Sequence, residues 1–266
     1  MKSEQPLLTE KPEKVNSSNL KNDSPGALHG QAWLTVQTYQ AQQLIKGRNK
    51  TADKPAIIGL VGFADRLRVI WQAARDDDPF ADWWLIKIHE ALEQTRLYIS
   101  KRQTELDLLL QQTQGMEVSV ATSKRPYRLQ LQFANPYAYQ GAQMIAEFDQ
   151  LVRTLLTCRH TGQLNDEPAT ASISHSARRV RASFSVSQGY RSFGLDRKKL
   201  QQAGEFDQRV SRFMRDIPED VLSGEQRAPI TPRKIHFPKQ SHRPSSLKSQ
   251  PSLPGKSSSS DENHDT

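Results

Sequence analysis

Apolar residues recur three and four positions apart through most of the chain, which predicts helices, and two apart in only two stretches, which predicts strands. From Gln31 to Lys46, Trp33, Val36 or Gln37, Gln40 and Leu44 share one helical face, and Gly47 offers a stop. A second helix is predicted from about Pro55 to Arg75, with Ile57, Leu60, Val61, Ala64, Leu67 and Ile70 or Trp71 as its stripe. The acidic run Asp76-Asp77-Asp78 breaks it. Asp78 then caps a third, long helix that opens on Pro79 and carries Ala81, Trp84, Leu85, Ile88, Leu92, Thr95 and Ile99 inward, ending near Gln112.

The period then changes. Met116-Glu117-Val118-Ser119-Val120 alternates apolar and polar, and so does Tyr127-Arg128-Leu129-Gln130-Leu131-Gln132-Phe133. Alternation of this kind marks half-buried strands, and Thr122 to Pro126 could join the two as a hairpin. Asn135-Pro136 next supplies a cap and a first helical position. The helix after it buries Tyr137, Ala138, Ala142, Ile145, Phe148, Leu151 or Val152, Leu155 and Leu156, and Gly162 closes it. Another helix begins near Asn165, with Ile173, Ala177, Val180 and Phe184 inside and Arg178, Arg179 and Arg181 on its flank. A last one runs from about Asp196 to Asp216, until Pro218 stops it. The fold class is mainly α with one short β-ribbon.

Only 35% of the 266 residues are hydrophobic, so part of the chain is expected to stay unfolded. Residues 1–29 and 227–266, the latter dominated by Pro, Ser and Lys, read as disordered arms. One domain of 30–226 remains, a helical part over 30–115 and a ribbon with basic helices over 116–226. The longest apolar run, Ala56 to Ala64, is nine residues even with its glycines counted, too short to span a membrane. The N-terminus lacks the apolar core of a secretory signal, and the single cysteine, Cys158, makes no internal disulfide. A soluble protein of a reducing cytoplasm is expected.

Charge is unevenly placed. Residues 1–123 carry 15 basic and 15 acidic groups, whereas 124–216 carry 15 basic and 8 acidic, for a net +7 of the chain's +8. The basic middle holds 12 Arg against 3 Lys. Arg forks onto phosphates and base edges, so a polyanionic partner is one reading and an ordinary basic surface is the other.

No sequence feature signals catalysis. The seven histidines are scattered, and there is no HExxH, no GxxxxGK[ST] and no GxGxxG. Asp76, Asp77 and Asp78 could hold Mg²⁺, but a helix break with a cap explains them better. Cys158 and His160 sit two apart on a helix and do not face each other, so the thiol reads as structural. Trp84 falls in an apolar stripe and reads as core. No metal, no cofactor and no catalytic residue is assigned.

The strand Tyr127–Phe133 carries the sharpest signal. Leu129, Leu131 and Phe133 take one face, with Tyr127 in phase; Arg128, Gln130 and Gln132 take the other. A two-stranded ribbon fits the DNA major groove, where Arg bonds guanine and Gln bonds adenine in bidentate fashion. A strand followed by two helices is also the order of the ribbon–helix–helix regulators, whose strands pair across a two-fold axis. An amphipathic strand with its polar side in water is the plainer alternative.

The run SKRPYRLQLQFANPYAYQGAQMIAEFDQLVRTLLTCRHTG resembles a family encoded on bacterial integrating conjugative elements and grouped with the AcaB-like transcriptional regulators of conjugative plasmids. So do DDDPFADWWLIKIHEAL upstream and QGYRSFGLDR and IPEDVLSGEQRAP downstream, and the resemblance covers about 30–230. It implies DNA binding and control of transfer genes by a ribbon–helix–helix-like dimer. Its base-reading strand maps to Arg128, Gln130 and Gln132. Residues 163–176 are more polar than the resemblance implies, and Pro168 falls within the first turn or two of the expected helix.

Two functions are thus on offer. In the first, the protein is a sequence-specific, non-enzymatic regulator of a conjugative or integrative element. It acts on double-stranded DNA as a homodimer through a ribbon–helix–helix-like element embedded in a larger helical domain. Arg128, Gln130 and Gln132 would read bases, and Lys124, Arg125, Arg178, Arg179 and Arg181 would hold phosphates. In the second, it is a helical accessory protein of the transfer machinery that binds protein, with 117–121 and 127–133 forming an intramolecular hairpin. The C-terminal tail could meet a protein partner in either.

Overall fold

The computed structural model describes residues 30–112, 115, 117–202, 210, 212 and 217–233. The expected arms over 1–29 and beyond Arg233 lie outside the described residues. The described chain begins with a strand, β1 (Ala32–Val36), and continues through α1 (Tyr39–Lys46), α2 (Leu60–Arg75) and α3 (Pro79–Gln111). β2 (Tyr127–Leu131), α4 (Pro136–His160), α5 (Asp166–Val186), a 3₁₀ turn (Ser187–Gly189), α6 (Arg197–Gln202) and α7 (Glu219–Ser223) follow. Among the described residues the architecture is mainly helical with one two-stranded antiparallel sheet. No helix among them is long and apolar enough to cross a membrane.

α4 is the axis of the fold. It packs against α1, α2, α3, α5 and the sheet. Its buried positions accordingly run around much of its circumference, from Tyr137, Ala138, Gly141 and Met144 to Phe148, Leu151, Val152 and Leu155. Gly141 lets its neighbours come close. A Cβ there would lie 3.1 Å from the Phe63 ring and 3.3 Å from that of Phe184. Those two rings stack at 4.7 Å, so α2 and α5 meet over the glycine. Cys158 is fully buried in the same core.

Local signals set the helix ends. The Asn135 side chain accepts from the Ala138 amide at 3.0 Å, and Asp78 Oδ1 accepts from Phe80 at 2.8 Å. Each cap precedes a proline in the first turn, as the sequence predicts. Pro168 is the third residue of α5, where an amide has no partner within the helix, so it is tolerated.

Four expectations are corrected. The helix predicted over 31–46 is a strand and a helix, β1 and α1. Leu34 and Val36 point inward while Trp33 and Thr35 are exposed. The outward Trp33 disguises that alternation as a helical stripe. Asp149 of α4 enforces the corner between the two. Its Oδ2 accepts from the Gln37 amide at 2.9 Å, and its Oδ1 from the Thr38 amide at 2.8 Å and hydroxyl at 2.7 Å.

The second helix begins at Leu60 rather than Pro55. Ile57 exchanges backbone hydrogen bonds with Arg48 at 2.8 Å, and Gly59 packs against Gly47. Gly47 has φ of +69°, and a Cβ on it would fall 2.4 Å from the Ile57 carbonyl oxygen, so no larger residue fits this crossing.

The described part of the predicted strand over 116–120 is not a strand, and Met116 lies outside the described residues. Val118 and Val120 are half-buried and Glu117 and Ser119 exposed, so the alternation records one side lying against the body. The segment's end is held by α4: the Ala121 amide donates to Thr157 Oγ1 at 3.0 Å, and Arg153 Nε donates to the Ala121 carbonyl at 2.7 Å.

The packed chain also runs past residue 226. Arg227 forks onto Asp82 of α3, Ala228 is buried, and Ile230 packs against the core. Of the helix expected over 196–216, Arg197–Gln202 is helical, as are residues 210 and 212; the rest lies outside the described residues.

Candidate nucleic-acid interface

The ribbon forms within one chain, between segments about a hundred residues apart. β1 and β2 run antiparallel with Trp33 opposite Gln130, Leu34 opposite Leu129 and Thr35 opposite Arg128. The partner of β2 is thus β1 and not the 117–121 segment of the expected hairpin. Leu34, Val36 and Leu131 are buried, with Tyr127 and Leu129 packed against the same core. The period of two therefore sends Trp33, Thr35, Arg128 and Gln130 to solvent. Gln132, just beyond the strand, is exposed as well.

The solvent face is ordered by its own contacts. The Arg128 guanidinium stands over the Trp33 ring, 5.0 Å from its centroid. At the Val36 end, the Ser123 amide donates to Gln37 Oε1 at 2.7 Å and the Arg125 amide to Ser123 Oγ at 3.2 Å. These bonds hold the loop carrying Lys124 and Arg125, both exposed, next to the ribbon. On the inner side, Lys46 at the end of α1 stands over the Tyr127 ring, with Nζ 5.5 Å from its centroid. None of the residues on the solvent face is acidic.

The three arginines of α5 divide. Arg178 is exposed and shares a shallow cleft with Tyr98, Arg102 and His175. Arg179 stacks on the Tyr98 ring at 4.6 Å. Both belong to the α3 side of α5. Arg181 is half-buried and faces Arg48 in the loop after α1; burial, and then the Arg48 charge, make its guanidinium easier to deprotonate than usual. The structure thus brings Lys124, Arg125, Arg128, Gln130 and Gln132 to the ribbon and sets Arg178 and Arg179 on another helix surface. Trp33 and Thr35 were not legible as part of this face, because β1 was hidden inside a helical pattern.

The acidic run at 76–78 serves the fold. Asp78 caps α3 and accepts from the Tyr190 hydroxyl at 2.7 Å. Burial, only partly offset by those hydrogen bonds, raises its pKa to about 6. Asp77 and the fully buried Asp82 both pair with Arg197, and Asp82 also takes the Arg227 fork. Among the described residues no group of His, Cys, Asp and Glu is placed to hold a metal ion.

A family model described as "Transcriptional regulator AcaB" matches residues 24–234. The crystal structure of selenomethionine-containing AcaB from uropathogenic E. coli aligns with a TM-score of 0.48 at 14% identity, over 74% of this chain and 98% of that one. No curated protein matches the sequence. The family match spans the sheet and every helix among the described residues, and the chain belongs to the AcaB family of transcriptional regulators.

Proposed function

We propose that the protein is a sequence-specific DNA-binding regulator of a conjugative or integrative mobile element, acting in the cytoplasm as a homodimer on double-stranded DNA. The exposed face of the β1–β2 ribbon enters the major groove, which is wide enough for two strands. Arg128, Gln130 and Gln132 read base edges. Lys124 and Arg125 hold flanking phosphates, and Arg178, Arg179 and Arg181 add contacts elsewhere along the duplex. No catalytic step is involved.

One observation carries this reading. The ribbon puts an Arg and a Gln side by side in the strand that faces solvent, over a wholly apolar inner side, with no carboxylate among the outward residues. A merely solvated strand has no need of that selection, and a carboxylate there would repel phosphate.

Binding of the full chain to promoter fragments of its own element, against random duplex, is the test. Affinity should fall steeply with salt, with a log–log slope of about −5 for six phosphate contacts. The promoter fragments should bind more tightly than random duplex at every salt concentration. Flat salt dependence, or no binding, would favour the accessory-protein reading, with half-exposed Trp33 as an anchor for a protein partner.

A further inference from the structure

A cleft of about 600 Å³ opens between α2 and residues 231–233, lined by none of the residues assigned to the duplex, and the regulator reading gives it no task. Arg68, Trp71 and Arg75 line one wall, a set at i, i+3 and i+7 that shares one face of α2. Thr231 and Arg233 line the opposite wall, and Ala134 lies at its edge. Three guanidinium groups thus share a concavity lined by no carboxylate. Arg68 and Arg233 form no ion pair among the described residues.

From this geometry we infer that the cleft is a binding site for a small phosphate-bearing ligand whose organic part rests against the Trp71 indole. Its size falls within the range of small-molecule sites. The cationic groups are also arranged in advance. Arg75 Nη2 donates to Gln72 Oε1 at 2.8 Å, and the Gln72 amide donates in turn to Asp76 at 3.1 Å, which fixes the guanidinium plane. Arg75 Nε is buried with no hydrogen-bond partner among the described residues. A buried unpaired donor is costly, and an oxyanion in the cleft would satisfy it. Ala134 immediately precedes Asn135, the cap of the 25-residue α4, so that helix's positive end adds to the field. Arg forks match phosphate oxygens in bidentate geometry, and two linked phosphoryl groups can engage several of the guanidinium groups at once, which a single sulfate cannot.

Phosphodiesters of a bound duplex carry the same oxyanions, so the experiment has two arms on the full-length protein. In the first, pyrophosphate is titrated calorimetrically into wild type, Arg68→Gln, Arg75→Gln and Arg178→Gln, with sulfate as the control anion. In the second, random duplex binding is measured for the same proteins. Pyrophosphate should bind wild type and Arg178→Gln alike, at least tenfold more weakly to Arg68→Gln and Arg75→Gln, and sulfate should bind far less. Duplex binding should be unchanged by Arg68→Gln. Arg68 is exposed, so its variant keeps the fold even if Arg75→Gln does not. Pyrophosphate binding that is absent, matched by sulfate, or indifferent to Arg68→Gln overturns the site. Loss of duplex affinity in Arg68→Gln without pyrophosphate binding would overturn it too, and make the cleft a seat for the DNA backbone.

Discussion

The guanidinium of Arg128 lies 5.0 Å from the centroid of the Trp33 ring, on the diagonal across the ribbon from β2 to β1. A cation over an indole is worth about 0.5–1 kcal/mol at an exposed site, so the pair contributes little to stability. Its effect is orientation: a stacked guanidinium is held in a fixed plane and loses less freedom when it meets a base. Trp33→Ala should lower melting temperature only slightly and weaken promoter binding about five- to tenfold, measured by anisotropy with a labelled duplex. Arg128→Lys, which keeps the charge and loses the fork, should narrow the gap between promoter and random DNA. Unchanged discrimination in both variants would remove the pair from the interface.

Asp82 is fully buried and is shared by two arginines that arrive from far along the chain, Arg197 and Arg227. Arg197 also donates to the carbonyls of Val221 and Leu222, at 2.8 and 3.1 Å, which ties α7 to the start of α3. Removing one partner of such a group leaves an uncompensated buried charge and costs about 3–5 kcal/mol. Arg197→Ala should show that loss in urea unfolding. Arg227→Ala should cost less, because its side chain is 19% exposed. A chain ending at 226 should be less stable than one ending at 233, since Arg227 and the buried Ala228 go with the cut.

The Asp78 carboxyl gives stability a pH dependence of known sign. Its folded-state pKa is about 6, raised from 3.8 chiefly by burial. The folded state therefore holds this proton more tightly than the unfolded chain. The contribution is fully present below about pH 4 and is withdrawn as pH rises through 6, up to about 3 kcal/mol in all. Asp78→Asn keeps an oxygen for the Phe80 amide but cannot ionise. In urea titrations, its stability relative to wild type should rise between pH 4 and pH 7; parallel curves would contradict this.

Much of the helical framework was legible in local sequence. Asp78-Pro79 and Asn135-Pro136 are cap signals that act within one turn, and α3 and α4 begin where they say. Strand pairing was not legible in the same way. β2 was visible because its inward Leu129 and Leu131 alternate with plainly polar residues, whereas in β1 the outward Trp33 is itself apolar. Extended segments also alternate when one side merely lies on the body, so Val118 and Val120 imitate a strand that has no partner. The arginine cluster on Asp82 left no local trace, because Arg197 and Arg227 lie more than a hundred residues from it. Of the site, the outward face of β2 was readable from its period, while Trp33 and Thr35 became part of it only through the register.

Gln130 tests the central claim most directly, since it lies opposite Trp33 in the middle of the exposed face and supports nothing beneath it. Gln130→Ala should leave unfolding free energy within about 0.5 kcal/mol of wild type, as expected for an exposed position. Its affinity for the preferred promoter site should fall by about 1–3 kcal/mol, and its affinity for random duplex by much less, because a base contact is lost while the phosphate contacts remain. Equal losses on both duplexes, or no loss on either, would contradict base reading by the ribbon.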